Sequence, residues 1–393
     1  MKYVSGFCGR QKKEKKNMKT TDIKTSWVKS LNTQPTGLLT KWQCVVKWLR
    51  QCASFHGGIW IAGLLVSLSP LSHANLLEKE ILKRLDLEKD NLSYQGVEDW
   101  FFITEELNYL VSGPFWGPYA ENVSKASPLE DADPLPAILD FQRQLHSNDI
   151  ELILVPIPPK ILVYPDKFTD AISFDPTSRW DPHLQTFYNQ LRKQGLIVLD
   201  VLSTFQEERQ QQEKPLYCRQ DSHYSGYGSV VVAEMIAKEI RKRFWHTTPT
   251  QTSYKTKWKT MDITGDLVLG DRTTESIPLR FVGTGEEQIS LKMDRKSPVL
   301  LLGDSHVLVF SVGNDMYAKG AGLADQLSYA LGYPIDLLGV RGSGSTPARL
   351  NLYRRAKRDS TYWTHKKTVV WCFAAREFTE SSSGWRRLPI KPE

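Results

Sequence analysis

The chain has 393 residues, of which 40% are apolar and 24% charged. This length allows one large domain or two of roughly 150 residues each, and the composition excludes a disordered, collagen-like or coiled-coil protein. The net charge of +7 is uneven, because residues 1–74 hold 12 basic and 2 acidic side chains (12 − 2 = +10), which leaves −3 for residues 75–393. The body therefore lacks the basic surface that nucleic-acid binding requires.

Residues 1–74 have the organisation of an export signal. An apolar run, Gly58–Ser69, follows the basic stretch; it has the length of a signal-peptide core and is short for a membrane span. Residues 72–74 (Ser-His-Ala) carry small side chains at the two positions that a signal peptidase reads, which predicts a mature chain from Asn75. An uncleaved signal anchor fits the same charge pattern, and a buried helix of a cytosolic domain is a third interpretation. Either export interpretation predicts a periplasmic or other extracytoplasmic body.

Two cysteines, Cys218 and Cys372, remain in the body. An oxidising compartment permits one disulfide between them, and two buried free thiols are the alternative. No Cys/His spacing resembles a zinc site, so the sequence predicts no bound metal.

The body alternates amphipathic segments with short apolar runs. In chain order we predict a helix at 75–90, an aromatic strand within 96–111, a loop at 112–134, a helix at 134–147, a strand at 151–156, a helix at 181–194, a strand at 196–200, a helix at 227–244, a polar excursion or lid at 246–280, a strand at 297–302, a helix at 322–331, and strands at 334–340 and 368–373. This order predicts one α/β domain over residues 75–393, with a mostly parallel sheet covered by helices on both faces. Such sheets bind ligands at the carboxyl ends of their strands.

A Gly-Asp-Ser-His segment, 303–306, directly follows one of the buried strands. Ser305 would lie at a strand-to-helix turn, where backbone N–H groups favour developing negative charge. An Asp or Ser that only caps the next helix is the simpler interpretation of the motif taken alone.

An acid and a histidine are separated by one residue in Asp221-Ser-His223. The carboxylate can hold the imidazole Nδ1–H, which leaves Nε2 to accept a proton from a hydroxyl. A capping Asp beside an exposed His is the alternative. His306 is a rival base, although its position next to Ser305 favours a structural or substrate-contacting role.

A third segment, Val340–Thr346 (VRGSGST), also follows a strand. Its backbone N–H groups could bind an oxyanion, and a plain flexible turn is the alternative. Together the three segments supply a nucleophile, a base, an orienting acid and oxyanion donors.

The order of these motifs resembles the SGNH-hydrolase-like acetyltransferase family of the alginate O-acetyltransferases (AlgJ/AlgX type). In that family an acid-x-His motif precedes the serine, a permuted order relative to ordinary GDSL esterases, and here 221–223 precedes 303–305. The resemblance runs from about residue 90 to 380, with Tyr224 and Ser343 as departures from the usual pattern. Further matching segments are 96–102 (GVEDWFF), 106–109 (ELNY), 155–160 (VPIPPK), 164–167 (YPDK), 322–327 (GLADQL) and 370–373 (VWCF), the last followed by Arg376-Glu377.

The resemblance implies a circularly permuted SGNH-hydrolase-like fold and acetyl transfer to hydroxyls of an exopolysaccharide, alginate-like or another cell-surface glycan. Ser305 would be the nucleophile, His223 the base and Asp221 the acid that orients it. No cofactor or metal is implied, and a membrane-bound O-acyltransferase would deliver the acetyl donor. The residues implied for oxyanion stabilisation or substrate binding are Gly342, Ser343, Gly344 and Arg376.

Two alternatives remain at this point. An acetyl esterase would use the same three residues, with water in place of the sugar hydroxyl. A non-catalytic polysaccharide-binding scaffold is the other, although core packing also explains most of the aromatic residues that could line a glycan cleft. Those aromatic residues are Trp100, Phe101, Phe102, Trp116 and Tyr119.

Overall fold

A computed structural model describes residues 70–391 except 89–90, 212–213, 269–272 and 286–288. The described residues belong to one compact unit, Leu68–Glu393. Among them, no helix is long and apolar enough to cross a membrane. The helices are α1 Pro70–Leu87, α2 Thr104–Val111, α3 Ala120–Val123, α4 Pro134–His146, α5 Lys160–Val163, α6 Pro165–Phe168, α7 Pro182–Lys193, α8 Val201–Gln211, α9 Gly226–Ile240, α10 Leu323–Leu331, α11 Thr346–Arg358 and α12 Glu377–Glu380.

The strands form three sheets. The central sheet has five parallel strands in the order β4-β3-β10-β8-β9, and two antiparallel sheets contain β1-β2 and β5-β6-β7. The strands are β1 Ser93–Gln95, β2 Phe101–Ile103, β3 Glu151–Ile157, β4 Ile197–Val198, β5 Lys255–Ile263, β6 Glu275–Thr284, β7 Ile289–Ser290, β8 Val299–Gly303, β9 Asp336–Gly339 and β10 Thr368–Ala374.

The central sheet is buried on both faces, because successive side chains of a strand point to opposite sides. In β10, Val370 and Cys372 join one apolar core, whereas Val369, Trp371 and Phe373 join the other. Every residue of β8 and of β10 is buried. This two-sided burial explains why these strands read as continuous apolar runs in the sequence, and it confirms the predicted α/β fold.

β8 and β10 approach each other unusually closely where β8 ends. A Cβ atom on Gly303 would lie 1.8 Å from the carbonyl oxygen of Cys372, so only glycine fits there. Both Cys218 and Cys372 are buried free thiols, which is the second of the two alternatives that the sequence left open.

Four segments differ from the sequence predictions. The strand predicted at 196–200 is only Ile197–Val198, and α8 and α11 were not predicted. The excursion predicted at 246–280 instead contains most of an antiparallel ribbon, in which β5 pairs with β6. Six successive residues of β5, Lys255–Thr260, are all exposed. The sequence signal of a half-buried strand is an alternation of apolar and polar residues, so this strand could not be recognised from the sequence.

The export prediction falls mostly on residues 1–69, which lie outside the described residues. α1 begins at Pro70 and runs through the predicted cleavage position between residues 74 and 75. The leader and the domain boundary at Asn75 therefore stay predictions.

Candidate active site

Ser305 lies two residues after the end of β8, at the start of a single 3₁₀ turn formed by residues 305–307. We call it the nucleophile turn, after the role that the sequence predicts for Ser305. Asp304 caps this turn: its Oδ1 accepts the backbone N–H of His306 at 2.8 Å, and its Oδ2 accepts that of Ala374 at 2.7 Å. The carboxylate therefore fastens the turn to the end of β10. Burial alone would raise the pKa of Asp304, but the neighbouring His306, the hydrogen bond from its ring and that from the Ala374 N–H lower it to about 2.

Asp221 and His223 lie on a tight loop between α8 and α9. Tyr217 and Tyr224 form an isolated antiparallel bridge across this loop, and the Cys218 N–H donates to the carbonyl of His223 at 3.2 Å. Ser225 then caps α9 by accepting N–H groups from residues 227 and 228. These contacts fix both ends of the loop, so the side chains of Asp221 and His223 have defined orientations.

The structure brings Asp221, His223 and Ser305 into one hydrogen-bonded row. His223 Nδ1 lies 2.6 Å from Asp221 Oδ1, and His223 Nε2 lies 2.7 Å from Ser305 Oγ. Because an ionised carboxylate only accepts, Nδ1 carries the proton and Nε2 is free to accept the Ser305 hydroxyl. This arrangement can deprotonate a serine hydroxyl as it attacks a carbonyl carbon.

The protonation states suit that chemistry. Burial alone would raise the pKa of Asp221, but the neighbouring His223 and hydrogen bonds from its backbone and ring and from Tyr317 hold it below its ordinary value. Burial alone would lower the pKa of His223, but the Asp221 charge and hydrogen bond raise it above its ordinary value. A more basic imidazole is a stronger acceptor for the serine proton.

A buried lysine holds the loop of Asp221 in place. Lys160, at the start of α5, donates from Nζ to the carbonyl oxygens of Phe101 at 2.7 Å, Arg219 at 3.3 Å and Asp221 at 2.6 Å. Its backbone N–H donates to Glu106 at 2.8 Å. Burial lowers the pKa of Lys160, because it disfavours the charged ammonium group. The three carbonyl oxygens and the neighbouring acidic residues offset this cost of desolvation.

The β5-β6 ribbon supports the same loop from the other side. Glu275, the first residue of β6, accepts the N–H groups of Arg219 at 2.8 Å and Gln220 at 3.0 Å. Asp266, just after β5, accepts both the N–H and the hydroxyl of Ser222 at 2.7 Å. The ribbon therefore contributes to the site instead of being a detached excursion.

The predicted oxyanion segment lies against the nucleophile turn. A Cβ atom on Gly344 would lie 3.2 Å from the backbone nitrogen of Asp304 and 2.5 Å from Cβ of Phe373. Gly342 has φ +74°. The Ser343 hydroxyl donates to Glu377 at 3.0 Å, and burial raises the pKa of this glutamate to about 7.

Arg376, the fourth residue implied for substrate binding, is engaged in ion pairs. Its guanidinium lies 3.0 Å from Glu105 and 3.4 Å from Glu106 on α2. Because Glu106 also accepts the backbone N–H of Lys160, Arg376 links the end of β10 to the support of the Asp221 loop.

His306, the rival base, is a buried residue of the turn. Its Nδ1 lies 3.1 Å from Asp304, and its carbonyl accepts the hydroxyl of Tyr224. Its ring centroid lies 4.8 Å from that of His223. Burial lowers the pKa of His306, so its ring is neutral over a wider pH range than that of an exposed histidine.

Among the described residues, one group has the side chains to hold a cation: Asp221, His223 and Asp266, with ligand atoms within 4.8 Å of one another. His223 Nδ1 and Asp221 Oδ1 are already hydrogen-bonded to each other at 2.6 Å. A cation there would replace the hydrogen bond that orients the imidazole.

Sequence reasoning missed several residues of the site, chiefly Tyr317, Asp266 and Glu275. Tyr317 donates its hydroxyl to Asp221, and the Asp266 N–H donates to the same carboxylate at 3.2 Å. The glycines around Tyr317 and before Asp266 indicate turns, but a turn signal does not say which carboxylate its residues will meet.

Comparison with known proteins points to one family. Residues 94–375 match the model of the SGNH hydrolase-like domain of the acetyltransferase AlgX. A probable alginate O-acetylase AlgJ of Pseudomonas aeruginosa is 24% identical over 292 residues, covering 67% of this chain and 69% of that protein. The probable alginate O-acetylase AlgJ of Pseudomonas syringae is 24% identical over 148 residues, and there the alignment covers 38% of this chain and 33% of the relative.

Two solved structures share the fold. The O-acetyltransferase domain of Pseudomonas putida AlgJ aligns with a TM-score of 0.53 and 18% identity, covering 73% of this chain and 92% of that one. Pseudomonas aeruginosa AlgX aligns with a TM-score of 0.51 and 16% identity, covering 72% and 62%.

Proposed function

This chain belongs to the family of SGNH hydrolase-like acetyltransferases of the AlgX type, and from that premise we propose that it is an O-acetyltransferase acting on hydroxyl groups of an exopolysaccharide. The observation that carries the proposal is the row of Ser305, His223 and Asp221, with contacts of 2.7 and 2.6 Å. The names of the curated relatives support an alginate-like acceptor.

In the first half-reaction Ser305 Oγ attacks the carbonyl carbon of an acetyl donor, and His223 Nε2 takes the hydroxyl proton. The oxyanion of the tetrahedral intermediate accepts hydrogen bonds from the Ser305 N–H and from backbone N–H groups of the Gly342–Gly344 turn. The bond to the leaving group then breaks, and His223 returns the proton to that group. An acetyl ester of Ser305 remains.

In the second half-reaction a sugar hydroxyl takes the place of the leaving group. His223 Nε2 accepts its proton while its oxygen attacks the acetyl carbonyl, and Ser305 then leaves with that proton. Asp221 remains ionised throughout and stabilises the imidazolium. Water in place of the sugar gives an esterase with the same residues.

The glycan-binding scaffold is the weaker alternative. Trp100 is 5% exposed and Phe102 is fully buried. Trp116 packs against Phe115 and Phe187. Of the five aromatic residues considered from the sequence, only Tyr119 is well exposed, at 54%.

The test has two parts. Incubation with a small activated acetyl ester and a panel of oligosaccharides should give acetylated sugar faster than free acetate for the right acceptor. Ser305→Ala should form no acetyl-enzyme in an intact-mass measurement, whereas Ser222→Ala, a matched serine on the Asp221 loop, should still form it. Equal acetylation of wild type and Ser305→Ala would refute the proposal.

We also propose that the body works outside the cytoplasm and receives acetyl groups from a membrane-bound O-acyltransferase. The basic leader and its apolar run support export. N-terminal sequencing of the fractionated protein separates a cleaved signal, with a mature end near Asn75, from a retained anchor. An intact chain in the soluble cytoplasm would contradict both.

A further inference from the structure

The segment that follows Ser305 is rich in left-handed backbone. Phe310, Asn314 and Tyr317 have φ values of 60°, 56° and 65°, and two glycines of the same segment also have positive φ. Asparagine tolerates this region, but a phenylalanine and a tyrosine enter it at a cost in free energy. The surrounding structure must therefore over-determine this conformation.

Backbone hydrogen bonds fold this segment back on itself. The Phe310 N–H donates to Met316 O at 2.9 Å, and the Ala321 N–H returns to Phe310 O at 2.8 Å. Between them the Gly313 N–H donates to Ala318 O at 2.8 Å. The fold-back carries Tyr317 from the nucleophile turn to the far side of the Asp221 carboxylate.

Tyr317 completes the hydrogen bonding of that carboxylate. Its hydroxyl donates to Asp221 Oδ2, and the carbonyl oxygen of Thr264 lies 3.1 Å from the same hydroxyl. Asp221 Oδ1 meanwhile accepts both the backbone N–H and the ring Nδ1–H of His223, and Oδ2 also accepts the Asp266 N–H. The two oxygens are thus divided: one serves the histidine, and the other is held by Tyr317 and the ribbon.

We propose that Tyr317 is a positioning residue for the acetyl transfer proposed above, and that it acts through Asp221 on the basicity and direction of His223. The inference rests on that proposed function. The hydroxyl withdraws charge from the carboxylate and stops it rotating about its own axis, so Oδ1 stays directed at Nδ1. Without the hydroxyl the carboxylate is a stronger partner for an imidazolium, and His223 holds its proton to higher pH.

The variant Tyr317→Phe tests this, because it removes one oxygen atom and keeps the ring that packs 5.8 Å from Phe310. Tyr333→Phe is the matched control, since Tyr333 is 2% exposed and its hydroxyl has no hydrogen-bond partner among the described residues. Titration of the His223 ring by NMR in the full-length chain should show a higher pKa in Tyr317→Phe and an unchanged pKa in Tyr333→Phe. An unchanged His223 pKa in both variants would overturn the proposal.

Kinetics on a small activated acetyl ester give a second readout. We expect kcat of Tyr317→Phe to fall about tenfold with KM nearly unchanged, because a carboxylate that has lost this hydrogen bond holds the His223 ring less firmly toward Ser305 Oγ. The acid limb of the pH profile should move to higher pH together with the pKa of His223. A role limited to folding would lower the amount of active protein and leave the midpoint of that limb in place, and that result would count against the proposal.

The two proposals fail in different ways. If Ser305→Ala hydrolyses the ester as fast as wild type, the proposed function fails, while the NMR titration still decides whether Tyr317 controls His223. If Tyr317→Phe does not fold, exchange of the Tyr317 hydroxyl proton in the unmodified chain decides the matter. A slowly exchanging proton is expected, and free exchange with water would overturn the inference.

Discussion

The tripeptide Asp-Ser-His occurs twice in the chain, at 221–223 and at 304–306, and the two copies share their local geometry. In the first, Asp221 Oδ1 accepts the N–H and Nδ1 of His223 at 2.9 and 2.6 Å. In the second, Asp304 Oδ1 accepts the same two groups of His306 at 2.8 and 3.1 Å. In both copies, therefore, one oxygen of the aspartate accepts the backbone N–H and faces the ring Nδ1 of the histidine two residues later.

The copies differ in what their remaining polar atoms meet. In the first copy the serine turns away to Asp266, while the outer nitrogen of His223 faces Ser305 of the second copy. In the second copy His306 packs its ring against the rings of Tyr224 and His223. One tripeptide therefore supplies the histidine and the other supplies the serine. The proposed role of each residue therefore comes from its neighbours in space and not from the motif.

The largest expected effect separates the two histidines. His223→Ala should lower kcat on an activated acetyl ester by about 10⁴-fold or more, because a neutral serine hydroxyl without its base is a poor nucleophile. His306→Ala should lower it by at most about tenfold, or ~1.4 kcal/mol of barrier, because we assign His306 no proton transfer. Thermal melts serve as the folding control, and a dead His306→Ala beside an active His223→Ala would reverse the assignment.

The two aspartates give the next contrast. Asp221→Asn should cost about 10⁴-fold in kcat, as the equivalent change does in a serine protease, because the amide favours the wrong imidazole tautomer. Asp304→Asn removes the charge near Ala374 and His306 but leaves an amide oxygen that can still accept one N–H. We expect it to lower the melting temperature more than the activity per folded molecule. Equal kinetic losses in both variants would remove the distinction between an orienting acid and a capping acid.

A third prediction uses pH. Transfer needs a neutral His223, and Asp221 raises the pKa of this ring above its ordinary value of 6.5. The rate, as kcat/KM, should therefore rise with pH through a midpoint above 6.5 and reach a plateau once Nε2 is deprotonated. A midpoint below 6.5 in the pH profile of the wild type would contradict the raised pKa.

The smallest expected effect concerns stability, where the two histidines should differ in sign. His223 has a raised folded pKa, so its stabilising contribution is complete below pH 6.5 and is lost as pH rises through the folded value. His306 has a lowered folded pKa, so the wild type loses stability as pH falls below 6.5. Relative to wild type at the same pH, His223→Gln should therefore have a lower melting temperature at pH 5 than at pH 9. The melting temperature of His306→Gln relative to wild type should instead be higher at pH 5. Melts at both pH values measure this, and parallel shifts would show that neither ring titrates differently on folding.

Local patterns in the sequence were enough for the parallel sheet and for the segments 303–306 and 340–346 at its carboxyl edge, whereas the loop of Asp221 follows α8 and not a strand of that sheet. Strands such as β8 and β10 are buried at every position and almost entirely apolar, and a turn that follows them must lie at the edge of the sheet. The row of Asp221, His223 and Ser305 was predicted from motif order and family resemblance. Its geometry appears in the structure, and its catalytic role stays a proposal.

The residues that sequence reasoning missed act across long separations. Tyr317 meets Asp221 only because the segment after Ser305 folds back through left-handed residues. Glu275 reaches Arg219 because β6 pairs with β5, a strand whose first six residues are all exposed. No local pattern in the sequence predicts either contact, because each one joins two segments that lie far apart along the chain.

The buried amine of Lys160 can serve as a gauge of opening motions. Its three hydrogen bonds to carbonyl oxygens occupy every proton of the ammonium group. An amine-selective reagent can modify it only when the loop of Asp221 lifts away, so its labelling rate reports that motion directly. Exposed lysines such as Lys257 are accessible to the reagent at all times, and their labelling rate supplies the internal standard. Slow labelling of Lys160 that accelerates in step with loss of activity on heating would show that opening of this loop accompanies inactivation.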